Sequence, residues 1–289
     1  MQTDTDTLDT VLIDKEMLMG VKPSNLHLSI EASDEGFGFA LFDLLNNRYV
    51  GIGYRNFGTA MHGHALAKRL SEEFDKNHLN EIAFTKSSLV WVSNRATLVP
   101  EALFDEKYAN DYFNLNLSAQ THETLYYEKV KGLGAYNVFA IPEALEDFCS
   151  AKLKSPAVMH HSRILLENLL LSGNPKGHHV YLHVQAKHFD IVVIEDGTLK
   201  LYNYYQYISA EDFTYHTLNT CKQLGIDPQT LAVTLIGEIE ADSTLFTILS
   251  KYLYKVNFYE PMPDYSLSLE LGKLPHHFYY NLLNQYACV

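Results

Sequence analysis

The chain has 289 residues, of which 47% are hydrophobic and 20% are charged, so it suits two compact units or one large α/β body and is too apolar for a disordered protein. Its net charge of −13 argues against nucleic acid or an anionic membrane as a general partner. The 20 tyrosines and 15 phenylalanines, against one tryptophan, suit a sheet-rich core.

Residues 1–20 are acidic, and we expect them to form a mobile tail with one short helix. They lack the basic start and apolar run of a signal peptide, and no stretch of the chain reaches the ~18 apolar residues of a membrane span. Cys149, Cys221 and Cys288 are widely spaced and form no CxxC motif, which fits a reducing compartment without disulfides or zinc. We therefore expect a cytoplasmic protein of bacterial type.

A β-meander follows the tail. Leu26 to Ser33 alternates apolar and polar residues and predicts a strand, and Gly36 to Asp43 predicts a second strand after a very short turn. Asn46-Asn47 predicts the next turn, because asparagine tolerates a positive φ. Arg48 to Phe57 predicts the third strand.

The same pattern recurs in the second half of the chain. Leu182 to Ala186 parallels the first strand, His188 to Asp196 the second, and Thr198 to Tyr207 the third. Asp196-Gly197 is a strong hairpin-turn signal and stands where the two asparagines stand in the first meander. The sequence therefore predicts a second meander.

A helical stretch follows each meander. Thr59 to Lys76 is the first and Ser209 to Gly225 the second. In the second stretch Ser209 with Asp212 resembles an N-cap with an acidic N3 residue, and Gly225 is a natural C-cap.

Further elements repeat in the same order. A buried strand and an amphipathic segment are predicted within Ser88 to Tyr108 and again within Leu231 to Tyr252, and the strand predicted at Tyr136 to Pro142 matches Tyr254 to Pro261. Each half therefore reads β-β-β-α-β-α-β. The alternative is that the recurrence is only the ordinary alternation of elements in α/β proteins.

A duplicated meander followed by αβα units resembles the actin-like ATPase superfamily, the ribonuclease H-like fold of sugar kinases, chaperone ATPase domains and actin. The resemblance covers about residues 24–262. In its lack of long insertions the chain is similar to bacterial actin-like proteins of pilus and type II secretion assembly. The whole chain also resembles a bacterial family of this fold without an assigned function. The resemblance to the superfamily implies a duplicated α/β protein with an N-terminal tail (1–20), two βββαβαβ lobes (21–150 and 151–289) and a central cleft.

The resemblance also implies where a nucleotide would bind. In active members each first hairpin carries an Asp-x-Gly turn, whose aspartate serves magnesium or the attacking water and whose glycine brings N–H groups against phosphate. A third motif, usually two consecutive glycines after a buried strand, lets adenosine approach the main chain.

This sequence departs from the family at each of these places. In the first hairpin Glu31 stands for the aspartate and Ser33 for the glycine. In the second hairpin Gln185 and Lys187 take those positions, and glutamine cannot act as a base and binds magnesium poorly. These substitutions predict a degenerate site.

The third motif keeps Gly237 but follows it with Glu238, whose carboxylate would narrow the adenosine slot and repel phosphate. Two like charges 4 Å apart cost ~4 kcal/mol at an effective dielectric of 20. Lys187 allows a second interpretation, in which a turn lysine holds a phosphate without Asp or Mg²⁺; the ordinary alternative is a solvated lysine.

The fourteen histidines do not predict a metal site. His160-His161, His178-His179 and His276-His277 are adjacent pairs, and neighbours in a strand point to opposite faces. His179 and His183 share a strand face but lie ~13 Å apart along it. We therefore assign no metal ligand and no catalytic residue.

The prediction is a degenerate actin-like ATPase-fold protein, without a bound cofactor, that acts as a non-catalytic interaction or scaffold protein. Its partner would be another protein, with no nucleic acid and no direct membrane insertion, and a homodimer is allowed. A structural subunit of a membrane-linked assembly is a further reading.

The main alternative is an active ATP- and Mg²⁺-dependent small-molecule kinase or ATPase. Glu31 would organise the metal, and Asp34 or Glu35 would supply a second carboxylate. The turn at Gln185–Lys187 would hold phosphate, and Gly237 would admit the adenosine.

Overall fold

A computed structural model describes residues 10–171, 176–260 and 264–289 of the chain. These residues divide into two compact units, each described separately below. The first unit comprises the described residues of Met1–Glu167, Pro263–Leu274 and Asn281–Val289, and the second those of Asn168–Met262 and Pro275–Tyr280.

The chain combines runs of consecutive strands with helices, as α/β proteins do. The strands are β1 (Thr10–Ile13), β2 (Leu26–Ala32), β3 (Gly36–Asp43), β4 (Arg48–Asn56), β5 (Lys86–Trp91), β6 (Ala96–Pro100), β7 (Glu123–Val130), β8 (Ala135–Pro142), β9 (Ala157–His160), β10 (His178–Val184), β11 (His188–Glu195), β12 (Thr198–Gln206), β13 (Ala232–Gly237), β14 (Lys255–Phe258) and β15 (Ser266–Leu267). The helices are α1 (Lys15–Met19), α2 (Gly63–Lys76), α3 (Ala109–Asn116), α4 (Glu143–Lys152), α5 (His161–Leu171), α6 (Ala210–Gln223), α7 (Thr244–Leu249) and α8 (Tyr280–Asn284). None of these helices is long and apolar enough to cross a membrane.

The larger sheet of the first unit has the strand order β1-β4-β3-β2-β5-β9, and β15 also pairs with β4. The strands β2, β3 and β4 form an antiparallel meander, whereas β5 is parallel to β2 and β9 is parallel to β5. At the second turn of the meander Asn47 has a φ of 49°, as its residue type predicts.

The sheet of the second unit has the order β12-β11-β10-β13-β14. Its first three strands are an antiparallel meander, and β13 and β14 extend the sheet in parallel. Each unit therefore places the third, second and first strands of its meander in this order, followed by two parallel strands, β5 and β9 in the first unit and β13 and β14 in the second. Asp196 and Gly197 both have positive φ at the β11–β12 hairpin, as predicted.

Helices bury an apolar stripe against one face of each sheet. In α2 the buried residues Leu66, Leu70 and Phe74 follow at a spacing of four and lie in one cluster with Ile30 of β2. In the second unit Phe213 of α6 lies in the cluster formed by the core residues of β10, β11 and β13. The predicted N-cap of α6 is present, since Ser209 accepts a hydrogen bond from Asp212 N at 3.1 Å.

One part of the predicted repeat is wrong. The strand predicted at Tyr136–Pro142 is β8, which lies between β6 and β7 in a separate three-stranded antiparallel sheet. The fifth strand of the larger sheet is instead β9, a short strand parallel to β5. Residues 96–142 are thus an insertion between the fourth and fifth strands of the larger sheet, because β8 pairs locally with β6 and β7.

The segment predicted as amphipathic after β5 also differs from the expectation. It forms the strand β6 and two short 3-10 helices, Glu101–Leu103 and Glu106–Tyr108, before α3 begins. The residues of β6 include the β-branched Thr97 and Val99, which favour a strand, and Pro100 ends it. The helix that precedes the fifth strand is α4.

The described residues at the N-terminus belong to the first unit. Thr10–Ile13 pairs antiparallel with β4, and α1 is the short helix expected there, with Asp14 as its N-cap. Ile13 and Met17 pack against the apolar core. Residues 1–9 of the predicted tail lie outside the described residues.

The last residues of the chain also belong to the first unit. The buried Tyr49 hydroxyl lies 3.2 Å from Leu282 O and 2.9 Å from Leu283 O, to which it donates. The Gln285 amide donates to Ser88 Oγ at 2.8 Å. These bonds attach residues 281–289 to the sheet formed by β2, β3, β4 and β5.

Candidate functional site

The turn between β2 and β3 carries Ser33, and Glu31 lies two residues earlier in β2. Ser33 N donates to Gly36 O at 3.0 Å, and Ser33 Oγ accepts from Glu35 N at 3.1 Å. Ser33 is not among the described residues with a positive φ, so this turn does not need the glycine found in active relatives of the fold. The serine side chain itself closes the turn.

Three acidic residues surround this first turn. Glu31, Asp34 and Glu35 are all half-buried, and strand alternation places Glu31 on the sheet face opposite the apolar core of α2 and α4. The loop after β4 holds the turn, because Met61 N donates to Asp34 O at 2.8 Å and Phe57 N donates to Glu35 O at 2.7 Å. The backbone of the turn is therefore fixed from both sides.

The turn between β10 and β11 carries the other pair of predicted residues. Gln185 is buried and its N–H donates to His188 O at 2.9 Å, whereas Lys187 is exposed. Tyr207 closes the turn, since its hydroxyl donates to Gln185 O at 2.6 Å and its N–H to Lys187 O at 3.1 Å. Like Ser33, Lys187 does not have a positive φ, so its position does not need a glycine either.

The Gln185 side chain belongs to a buried chain of polar groups. Its amide nitrogen lies 3.2 Å from His183 Nε2, and His183 Nδ1 lies 3.0 Å from Asp190 Oδ2. The Tyr202 hydroxyl donates to Asp190 Oδ1 at 2.9 Å. A neutral imidazole that donates from Nδ1 to Asp190 accepts at Nε2 from Gln185, so one tautomer is compatible with both of these bonds.

Sequence reasoning missed this chain, although a signal was present. Asp190 is the single acid in the apolar run Phe189–Ile194, and an acid buried in a strand needs a polar partner. His183 is the cross-strand neighbour of Asp190 in the β10–β11 register, and Gln185 shares the face of His183. The pattern of one acid in an apolar strand opposite a histidine would have predicted the pair.

Gly237 ends β13 in a tight turn. It has a φ of +87°, and a Cβ atom added to it would lie 2.2 Å from Val184 O. The neighbouring N–H of Glu238 donates to that same Val184 oxygen at 2.8 Å. The glycine is therefore required by the close approach of β10, whether or not a ligand binds there.

His277 forms hydrogen bonds with the backbone of this turn. Gly237 N donates to His277 O at 2.8 Å, and His277 Nε2 lies 2.9 Å from Ile239 O, to which the ring donates. The His277 ring packs on Phe258 with 4.5 Å between the ring centroids. Burial lowers the pKa of His277, consistent with a neutral ring held against a carbonyl.

The structure brings the second hairpin, with Gln185 and Lys187, next to the third motif at Gly237 and Glu238. The bond from Glu238 N to Val184 O joins the carboxyl ends of the parallel strands β10 and β13, and Gln185 follows Val184 directly. Glu31 and Ser33 lie at the equivalent turn of the first unit. In the second unit Gln185, Lys187, Gly237 and Glu238 thus form one site, and its backbone forms hydrogen bonds with Val184, Tyr207 and His277.

The first unit contains a buried carboxyl group that sequence reasoning also missed. Glu128 of β7 accepts from His160 N at 3.0 Å and from Arg163 Nη1 at 3.2 Å. Arg163 Nε in turn donates to Glu167 Oε1 at 3.0 Å. Burial raises the pKa of Glu128 to about 7, although the bonds from His160 and Arg163 lower it.

A buried histidine lies beneath the C-terminal segment of the same unit. His27 of β2 is fully buried, and its Nε2 lies 2.8 Å from Ser88 Oγ. Burial, and to a lesser degree the charge of Lys86, lowers the pKa of His27 to about 4. The ring therefore stays neutral across the physiological range.

Comparison with known proteins identifies the fold. A protein from Bacteroides thetaiotaomicron VPI-5482, described as having an actin-like ATPase fold and unknown function, is 22% identical with a TM-score of 0.72, and the match covers 82% of this chain and 91% of that one. The PilM–PilN type IV pilus biogenesis complex is 14% identical with a TM-score of 0.58, covering 91% of this chain and 98% of that one. These likenesses confirm the predicted actin-like fold and its similarity to pilus assembly proteins.

No curated protein matches the chain. A family model described as a protein of unknown function, DUF3822, matches residues 20–256. This agrees with the predicted resemblance to a family of the fold that has no assigned function. Because the match spans well over half of the sequence, the chain belongs to the DUF3822 family.

Proposed function

We propose that this protein is a non-catalytic member of the actin-like ATPase fold that acts by binding another protein. The observation that carries the proposal is the hydrogen bond from Gly237 N to His277 O, at 2.8 Å. The resemblance to active members of the fold implies an equivalent turn that is open to adenosine, whereas here His277 forms hydrogen bonds with the backbone of Gly237 and Ile239. Glu238 adds a carboxylate at the same turn.

The second hairpin supports the same conclusion. Where active relatives carry an aspartate, this chain has Gln185, whose side-chain amide is directed at His183. The Tyr207 hydroxyl donates a hydrogen bond to the carbonyl oxygen of Gln185. A glutamine committed to a buried imidazole supplies neither a base nor a good magnesium ligand. The residues of the second unit therefore do not fit a magnesium-bound nucleotide held in the manner of the family.

A protein partner is the corresponding positive proposal. One solved neighbour of the fold, PilM, is in a complex with PilN, a protein. The net charge of −13 disfavours nucleic acid and anionic membranes as partners. The free and buried Cys149, Cys221 and Cys288 favour a reducing compartment, and so the cytoplasm. A bacterial protein is the corresponding proposal for the source, since the neighbour from Bacteroides thetaiotaomicron is bacterial. A homodimer is a second form of protein binding.

The proposal is tested with ATP and Mg²⁺ on the purified full chain. Thermal unfolding and phosphate release are measured with and without nucleotide, because a ligand at 100-fold over its Kd adds ~2.7 kcal/mol of stability. We expect no ATP-dependent stabilisation and no phosphate release. The alternative, an active kinase or ATPase, predicts both.

Two variants make this test specific. Glu31→Ala removes the one predicted site position that keeps an acid in place of the family's aspartate, and Glu72→Ala removes an exposed carboxylate of α2 as the matched control. Phosphate release that is lost in Glu31→Ala but kept in Glu72→Ala would overturn the proposal. Release that is equal in both variants would point to a contaminating ATPase.

A further inference from the structure

An exposed group of apolar side chains lies on the insertion of the first unit. Leu103, Tyr108, Leu115 and Tyr127 are 68%, 53%, 79% and 45% exposed, and Tyr112 between them is half-buried. We call these five residues the tyrosine patch. Large apolar side chains grouped in this way on a surface typically mark an interaction site.

The helix α3 explains why the patch is open. One stripe of the helix, with Ala109, Tyr112 and the fully buried Phe113, packs against the three-stranded sheet. Tyr108, the residue before the helix, and Leu115 are about two helical turns apart and so lie along another side of the same helical segment. A surface helix needs only one apolar stripe for its fold, so the second stripe is available for binding.

Two rings of the patch, those of Tyr112 and Tyr127, are held in position before any partner binds. The Tyr112 hydroxyl donates to Leu103 O and accepts from Asp105 N, and the Tyr127 hydroxyl donates to the Glu106 carboxylate. Phe104 lies beneath, with its centroid 5.2 Å from that of Tyr127 and 6.0 Å from that of Tyr112. Fixed aromatic rings lose little conformational entropy on binding, which makes them effective anchors.

The charges around the patch select the partner. Four acidic residues, Glu101, Asp105, Glu106 and Asp111, stand in residues 101–116 against the single base Lys107. Across the strands Lys129 is paired with the Glu101 carboxylate. This acidic rim repels anionic lipid, nucleic acid and a second copy of a chain with a net charge of −13. It attracts lysine and arginine, which also bind over tyrosine faces.

We propose that the tyrosine patch binds a basic amphipathic segment of a partner protein, in which lysine or arginine side chains flank apolar ones. The apolar residues of that segment pack on Tyr108, Tyr112 and Leu115, and its basic residues meet the acidic rim. This inference rests on the proposed function, since it takes protein binding as the activity and assigns it a surface.

The test uses the full chain and a fluorescent synthetic peptide of leucine and lysine in an amphipathic helical pattern, with a leucine–glutamate peptide as its counterpart. Binding is followed by anisotropy over a range of salt concentrations. Tyr108→Ser with Leu115→Ser removes two exposed anchors, and Leu45→Ser, at a position 74% exposed elsewhere in the first unit, is the matched control. Asp111→Lys reverses a rim charge, and Asp242→Lys reverses an exposed charge in the second unit.

We expect the leucine–lysine peptide to bind, with an affinity that falls as salt rises, and the leucine–glutamate peptide not to bind. The Tyr108/Leu115 variant should weaken binding by about tenfold or more, as for anchor residues at other interfaces. Asp111→Lys should weaken binding several-fold more than Asp242→Lys. Leu45→Ser should leave the affinity unchanged, and circular dichroism should show all variants folded.

Equal binding by the patch variants and their controls would overturn the proposal and leave only general attraction to an acidic protein. Patch-dependent binding to vesicles of phosphatidylcholine and phosphatidylserine would overturn it in favour of a membrane. Patch-dependent self-association, measured by sedimentation, would overturn it in favour of a second copy. These outcomes are independent of nucleotide, so they are distinguishable from a failure of the proposed function, which ATP-dependent stabilisation would reveal.

Discussion

His183 and Asp190 face each other on the neighbouring strands β10 and β11, with 3.0 Å between the imidazole Nδ1 and the carboxyl Oδ2. Both side chains are almost fully buried, and the bonds from Gln185 and Tyr202 extend the pair at both ends. A buried carboxyl group of this kind stabilises the fold only while its partners remain. The pair therefore makes Gln185 a structural residue of the second unit.

Replacing Asp190 should be strongly destabilising. Asp190→Ala leaves the His183 Nδ1 and the Tyr202 hydroxyl without this acceptor and should lower the free energy of unfolding by about 3–5 kcal/mol. Asp190→Asn keeps an acceptor for the imidazole and should cost clearly less. Urea unfolding of the full chain, followed by circular dichroism, measures both variants. Equal and small losses in the two would contradict a structural role for the pair.

Gly237→Ala should destabilise the second unit more than an ordinary glycine substitution. The added Cβ would meet Val184 O at 2.2 Å in addition to the strain of a φ of +87°. Gly225→Ala is the matched control, since Gly225 has a φ of +69° and open space around its Cβ position. The control should cost about 1–2 kcal/mol from backbone strain alone. We expect a larger loss at Gly237, measured in the same urea experiment; an equal loss would mean that β10 yields to the new methyl group.

The duplicated fold was predictable because its signals are local. Apolar alternation gave β2, β3, β11 and β12 within a residue or two, and Asp196-Gly197 fixed the hairpin between the last two. The Ser209 cap marked the start of α6. The insertion was not predictable in the same way, because β8 is as apolar as a sheet-centre strand and only its pairing with β6 and β7 reveals where it belongs.

The candidate site was predictable by position but not by role. The resemblance located Gln185 and Gly237, yet the sequence alone could not show that Gln185 turns towards His183 or that His277 bonds to the Gly237 turn. The second contact joins residues forty positions apart, and no local pattern encodes it. The retained glycine itself suggested a ligand, whereas the closeness of Val184 O provides a sufficient reason for it.

Glu128 should make stability depend on pH near neutrality. Its pKa is raised from 4.5 to about 7 in the folded protein, so between these values the folded state binds the proton that the unfolded state has lost. This group therefore adds stability below pH 4.5, and the contribution decreases as pH rises towards 7, by about 1.4 kcal/mol per pH unit. Glu128→Gln removes the titration. The stability of the natural protein relative to this variant should rise as pH falls from 7 to 5, measured by urea unfolding; a constant difference would contradict the raised pKa.

His27 should produce the opposite slope. Its pKa is lowered from 6.5 to about 4, so between these values the unfolded state binds a proton that the buried ring does not. Stability from this group is complete above pH 6.5 and decreases as pH falls towards 4, again by about 1.4 kcal/mol per pH unit. His27→Gln removes the titration and keeps a polar group near Ser88 Oγ, so the natural protein should lose stability relative to the variant as the pH falls from 6.5 to 5.

Between pH 4.5 and 6.5 the contributions of His27 and Glu128 oppose each other, so the stability of the natural protein shows neither of them. The two single variants should change the pH slope of its stability in opposite directions. Changes of slope in the same direction in the two variants, relative to the natural protein, would be incompatible with a neutral His27 and a protonated Glu128 in the folded state.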